Sequence, residues 1–195
     1  MIMKKELTAQ ESLGIVSKTI LTAKIKNQET GSIFIFWGLL MMLASLGQYL
    51  ILQTKYTDYN YYPYFAFPLG AIFTWLYYSK KFKIKDQSNV ISSIIPIIWM
   101  VVGINFMVLS IGFETFLGEL LTPVILILLG MATILTGHIM KSRLILIGGM
   151  LSNIAGFICF QFAWEYHGLI LSAASLICLA LPGFIIRFAS TNRND

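Results

Sequence analysis

"NVISSIIPIIWMVVGINFMVLSI" (Asn89–Ile111) contains no charged residue over 23 positions. A helix of that length rises about 35 Å, enough to cross the roughly 30 Å hydrocarbon core of a bilayer. Its apolar residues do not alternate with a period of two, so a barrel strand is excluded and a helix must satisfy the backbone. Composition decides between a buried soluble helix and a membrane span. Hydrophobic residues make up 57% of the chain and charged residues 12%, against about 25% charged in an ordinary soluble domain. Too few polar side chains remain to cover a soluble surface, and the chain is read as an all-α integral membrane protein.

Five further segments repeat the pattern, giving six expected spans: Ser32–Gln53, Tyr61–Ser79, Asn89–Ile111, Thr122–Met140, Arg143–Ala163 and Gly168–Phe188. "YNYYPYF" (Tyr59–Phe65) marks an interfacial entry to the second. Thr122-Pro123 reads as an N-cap with proline at the first helical position of the fourth, leaving "GFETFLGELL" as a short interfacial segment. The domain division is then a cytoplasmic segment 1–31, a transmembrane domain 32–188 and a tail 189–195.

Thirteen of the fourteen Lys and Arg residues fall before the first span, in or bordering the second and fourth connections, or at and beyond the end of the last span; Lys55 alone lies on the other side. By the positive-inside rule both termini are cytoplasmic. The opposite loops carry Asp58, Glu114, Glu119 and Glu165 among Tyr56, Tyr59, Trp164 and other aromatics, which suits an aromatic belt at headgroup depth. The net charge of +5 is spread over helix ends and forms no basic patch with interleaved aromatics, so nucleic acid is not an expected partner.

Before the first span, "TAQESLGIVSKTILTAKIK" (Thr8–Lys26) opens with a capping box, Thr8 to Glu11. Leu13, Val16 and Ile20 form a narrow apolar stripe flanked by lysines. This amphipathic helix is expected to end at Gly31 and to lie on the bilayer surface, or to dock on a protein partner or a second copy. Lys18 interrupts the apolar positions and no small-residue cleavage site follows, unlike a signal peptide. "ESLGIVSKTI" (Glu11–Ile20), Gly31 and "FWGLL" (Phe36–Leu40) together resemble a group of small multi-pass membrane proteins of Bacteroidota-type bacteria. The resemblance covers about the first forty residues and implies a bacterial cytoplasmic membrane and an N-terminal helix before about six spans. It implies no activity.

Within the spans, Gly148, Ser152 and Gly156 repeat every four residues, a small-residue face for close helix packing, with Ser172–Ser175 of the sixth span as the expected partner. Pro182 should bend the last span. Gln48, Asn105 and Asn153 lie within the first, third and fifth spans, where facing lipid would leave them unsolvated, so they are expected to face the interior. There they form helix–helix hydrogen bonds or a polar pocket capped by Glu119, Gln161 and Glu165. No nucleotide-binding loop, dinucleotide fingerprint, zinc-peptidase motif or nucleophile elbow is present, and no acidic group lies inside a span. Cys159 and Cys178 read as small core hydrophobes, and no catalytic, cofactor or metal residue is assigned. The expected role is a non-enzymatic membrane component coupled through its N-terminal helix. The alternative is a small-solute transporter or its substrate-binding membrane subunit.

Overall fold

The computed structural model describes the backbone of residues 9–82 and 90–191, and side chains over 31–77, 79, 94–113 and 116–188. Leu13, Val16, Ile20 and the Lys83–Lys85 loop therefore have side chains outside the described residues. Every described regular element is helical: α1 (Ala9–Leu52), α2 (Ala66–Phe82), α3 (Val90–Gly112), the single turn α4 (Glu114–Leu117), α5 (Leu121–Ile139), α6 (Arg143–Cys159), α7 (His167–Ser175) and α8 (Leu181–Thr191). A π-helical turn, Leu176–Ala180, joins α7 to α8. Four stretches are long and apolar enough to cross a membrane, Gly31–Leu52, Ile94–Gly112, Gly118–Ile139 and Trp164–Phe188. At 17 residues each, α2 and α6 are shorter. Leu43, Ile72, Trp75, Met107 and Phe157 are among the many large apolar side chains on the outside. Such an exterior would aggregate in water and suits a membrane-embedded protein.

The core is a bundle of α1, α5, α6 and the α7–α8 unit, meeting at Phe34, Met41, Leu126, Ile145, Leu171 and Leu179. α5 and α6 form a tight antiparallel hairpin turned at Lys141, whose φ of 53° is left-handed. The two helices approach through missing side chains on both: a Cβ at Gly137 would meet the Leu146 backbone nitrogen at 2.5 Å, and one at Gly149 the Ile134 nitrogen at 2.6 Å. Dispersion between closely apposed backbones carries this association, since lipid offers no hydrophobic driving force. α3 lies outside the bundle. Its Trp99 packs edge-on to Phe34 (centroids 5.5 Å apart), and Trp99 Nε1 donates to Thr136 Oγ1 of α5 at 3.1 Å. α2 rests on α1, with Gly70 under Leu40 and Phe36 against Phe73.

Two local expectations change, and Pro182 acquires a local setting. α1 runs unbroken through Gly31, which is no stop signal. Glycine costs a helix interior about 1 kcal/mol, but here it lets α8 close in: a Cβ at Gly31 would lie 2.9 Å from the Gly183 carbonyl oxygen, and one at Gly183 would lie 2.8 Å from that of Gly31. α5 starts at Leu121 with Leu120 as its cap, so Pro123 sits inside the first turn rather than at its first position. The amides of that turn have no intrahelical acceptor, so proline loses nothing there. Finally, Pro182 is preceded by the π turn, in which the Leu181 amide reaches back to Leu176. One extra residue in the turn absorbs the hydrogen bond that proline cannot donate.

Candidate functional site

The polar side chains that the structure gathers lie where the connection 53–65 folds over the end of α1. Gln48 is buried; its Oε1 accepts from the Tyr64 hydroxyl at 2.7 Å and its Nε2 donates to Asn60 Oδ1 at 3.4 Å. Asn60, also buried, donates through Nδ2 to the Thr57 carbonyl at 2.6 Å. Backbone approach makes room for this network. A Cβ at Gly47 would lie 3.1 Å from Pro63, and one at Gly168 would come within 3.2 Å of Gln48 Oε1. A span amide thus pins a loop, and its hydrogen bonds replace the water it would otherwise lack.

Beside this network opens a cavity of about 490 Å³, lined by Leu52, Thr57, Asp58, Asn60, Tyr61, Trp164 and Glu165. Its volume falls in the range of small-molecule sites. Asp58 and Glu165 are exposed and have no hydrogen bond or ion pair among the described residues. Lys55, the one lysine of this loop, is placed instead over the Tyr56 ring at 5.4 Å. Two uncompensated carboxylates between Tyr61 and Trp164 make a setting for a positively charged group, held by charge and by ring faces. Next to it His167 is buried at 4% exposure. Its Nε2 lies 3.0 Å from the Phe162 carbonyl, which can only accept, so that nitrogen carries the proton. Nδ1 has no partner among the described residues.

The expected six-residue pocket does not assemble. Gln48, through Asn60, and Glu165 border one cavity. Asn153 is half-buried over Gly130 of α5 and donates to the Gly149 carbonyl at 3.2 Å. Glu119 and Gln161 are exposed. Asn105 faces outward, correcting the expectation of an interior amide. α3 turns Trp99 and Phe106 toward the bundle, and at 100° per residue the neighbour of Phe106 must leave that face.

The small-residue face also divides. Ser152 Oγ donates to the Leu126 carbonyl at 3.0 Å, and a Cβ at Gly156 would meet Ile127 Cγ1 at 2.7 Å, so both address α5. Only Gly148 addresses the last span, where a Cβ would lie 2.5 Å from the Cys178 oxygen. A four-residue repeat advances 40° per step around the helix, so three members reach two neighbours. Asn60 and Tyr64 were not legible as site residues. Asn60 and Tyr64 are joined only by Gln48 of α1, 12 and 16 residues away, and the tyrosine cluster reads equally as a belt. Comparisons with family models, curated proteins and solved structures return no match.

Proposed function

We propose that this is a non-enzymatic six-span protein of a bacterial cytoplasmic membrane, both termini cytoplasmic, that couples the membrane to a protein partner through the leading part of α1. The observation that carries the reading is the unbroken helix Ala9–Leu52. Its 44 residues rise about 66 Å, roughly twice the hydrocarbon thickness. A rod of about 30 Å therefore continues from the first span with no joint at its base. The glycine contact between Gly31 and Gly183 ties that base to α8, so force or rotation applied to the rod reaches the bundle. The side of the membrane follows from the basic residues. α2 and α6 serve as the second and fifth spans, at the short end of the spanning range. The test is purification from native membranes with and without Leu13→Asp plus Ile20→Asp. A stoichiometric cytoplasmic protein should accompany the parent and be lost from the variant, with melting temperature unchanged. If the parent brings nothing and its amides over 10–24 exchange freely in membranes, the coupling role is rejected.

The cavity favours a second reading, a membrane component that binds a small organic cation. Tetramethylammonium or spermidine should raise the melting temperature of the parent and not that of Asp58→Asn plus Glu165→Gln. Equal shifts in both would remove this reading.

A further inference from the structure

Asn105 poses a problem that the isolated chain does not solve. It lies eleven residues beyond Ile94 and seven before Gly112 in an apolar span. That places it about 10 Å of helix rise from the nearer end, too deep for a side chain with two torsions to reach water. Its side chain is exposed. Nδ2 donates to the Val101 carbonyl of its own helix at 2.8 Å, which uses one of the two N–H groups. The other N–H and Oδ1 have no partner among the described residues, and lipid tails supply none.

The neighbours of Asn105 on the helix surface are ordered. Ile94, Ile98, Val101, Asn105, Val108 and Gly112 follow one another at spacings of 4, 3, 4, 3 and 4, the 3.5-residue period of a left-handed helix pair. Ile94, Val101 and Val108 are 39%, 49% and 49% exposed, and a Cβ at Gly112 would meet nothing within 4 Å. Ile98 is half-buried; the rest of the stripe is uncovered, regularly spaced, and carries a single amide near its middle. One asparagine at such a position fixes register and oligomer state in paired helices.

We propose that this stripe of α3 is the interface of a homodimer, with Asn105 hydrogen-bonded to Asn105 of a second copy. A second copy is the occupant that the chemistry selects. The free donor and acceptor of one amide complement those of an identical amide, as a two-fold contact requires. Copies inserted in the same direction can be related only by an axis along the membrane normal, which sets α3 parallel to α3. Asn105 then meets its counterpart at the same depth. Gly112 at one end lets the two backbones approach.

The test is made on the full chain in lipid vesicles. Cys159 and Cys178 are buried and can remain. Val101→Cys and Val108→Cys should form intermolecular disulfides under mild oxidation. Met100→Cys and Met107→Cys, exposed about 100° around α3 from Val101 and Val108, should not. Energy transfer between labelled copies, followed as protein is diluted into lipid, should show a dimer weakened about 3- to 30-fold by Asn105→Leu, the range for amides pairing across membrane helices. Asn105→Gln should retain most of the association. At dilutions where the parent is itself monomeric, Asn105 is exposed and the melting temperature of the leucine variant should not fall, which separates lost association from misfolding. A parent that stays monomeric at high protein density overturns the proposal. So does cross-linking strongest at Met100 and Met107, or an Asn105→Leu dimer as tight as the parent's.

Discussion

Gly148 faces the carbonyl oxygen of Cys178 so closely that a Cβ there would lie 2.5 Å from it. Cys178 is four residues before Pro182, which has no N–H to return to that oxygen. The proline opens the π turn, and the glycine of α6 leaves the space into which the freed carbonyl points. Gly148→Ala should therefore be costly, about 1–3 kcal/mol for forced overpacking, because a backbone oxygen cannot swing aside as a side chain can. Gly103→Ala, with nothing within 4 Å, is the control. Equal melting temperatures for the two variants in lipid would mean that α6 and the π turn are farther apart.

The α5–α6 hairpin gives a second comparison. Gly156→Leu would drive a branched side chain into Ile127 and the Pro123 carbonyl, whereas Leu151 is 43% exposed and Leu151→Phe enlarges a lipid-facing side chain. Melting should drop for the first and hold for the second.

Gln48 joins a span to a loop, so its removal should be read in the loop. Gln48→Leu strands the Tyr64 hydroxyl and the Asn60 amide; leaving buried polar groups unpaired costs about 1–3 kcal/mol. Tyr64→Phe leaves the Gln48 amide one bond to Asn60 and should cost about 1 kcal/mol. Hydrogen exchange over residues 54–65 is expected to quicken in the order parent, Tyr64→Phe, Gln48→Leu. The reverse order would show that Tyr64 rather than Gln48 organises the loop.

Orientation can be read with an impermeant thiol reagent, since Cys159 and Cys178 are buried and add little background. Cysteines at Tyr59 and Glu165 should label in intact cells, and one at Lys83 only after lysis. Labelling of the Lys83 site in intact cells would overturn the proposed six-span topology.

What the sequence determined follows from solvent alone. Apolar length and the absence of alternation made the chain helical and membrane-embedded, because a backbone in hydrocarbon must satisfy itself within each segment. Charge partition supplied an expected orientation without any knowledge of packing. Small residues marked the helices that could approach closely, yet Gly148, Ser152 and Gly156 did not reveal which neighbour each would meet. That depends on the crossing of α6 with two other helices. Gly31 shows the same limit: its helix-stopping tendency is a local preference, and contact with Gly183 outweighs it. Polar residues were the hardest to place. Gln48 turned inward to loop residues 12 and 16 positions away, and Asn105 turned outward because the faces of α3 are assigned by where Trp99 and Phe106 find room. Each decision rests on contacts between residues far apart in the chain, and only tertiary packing contains them.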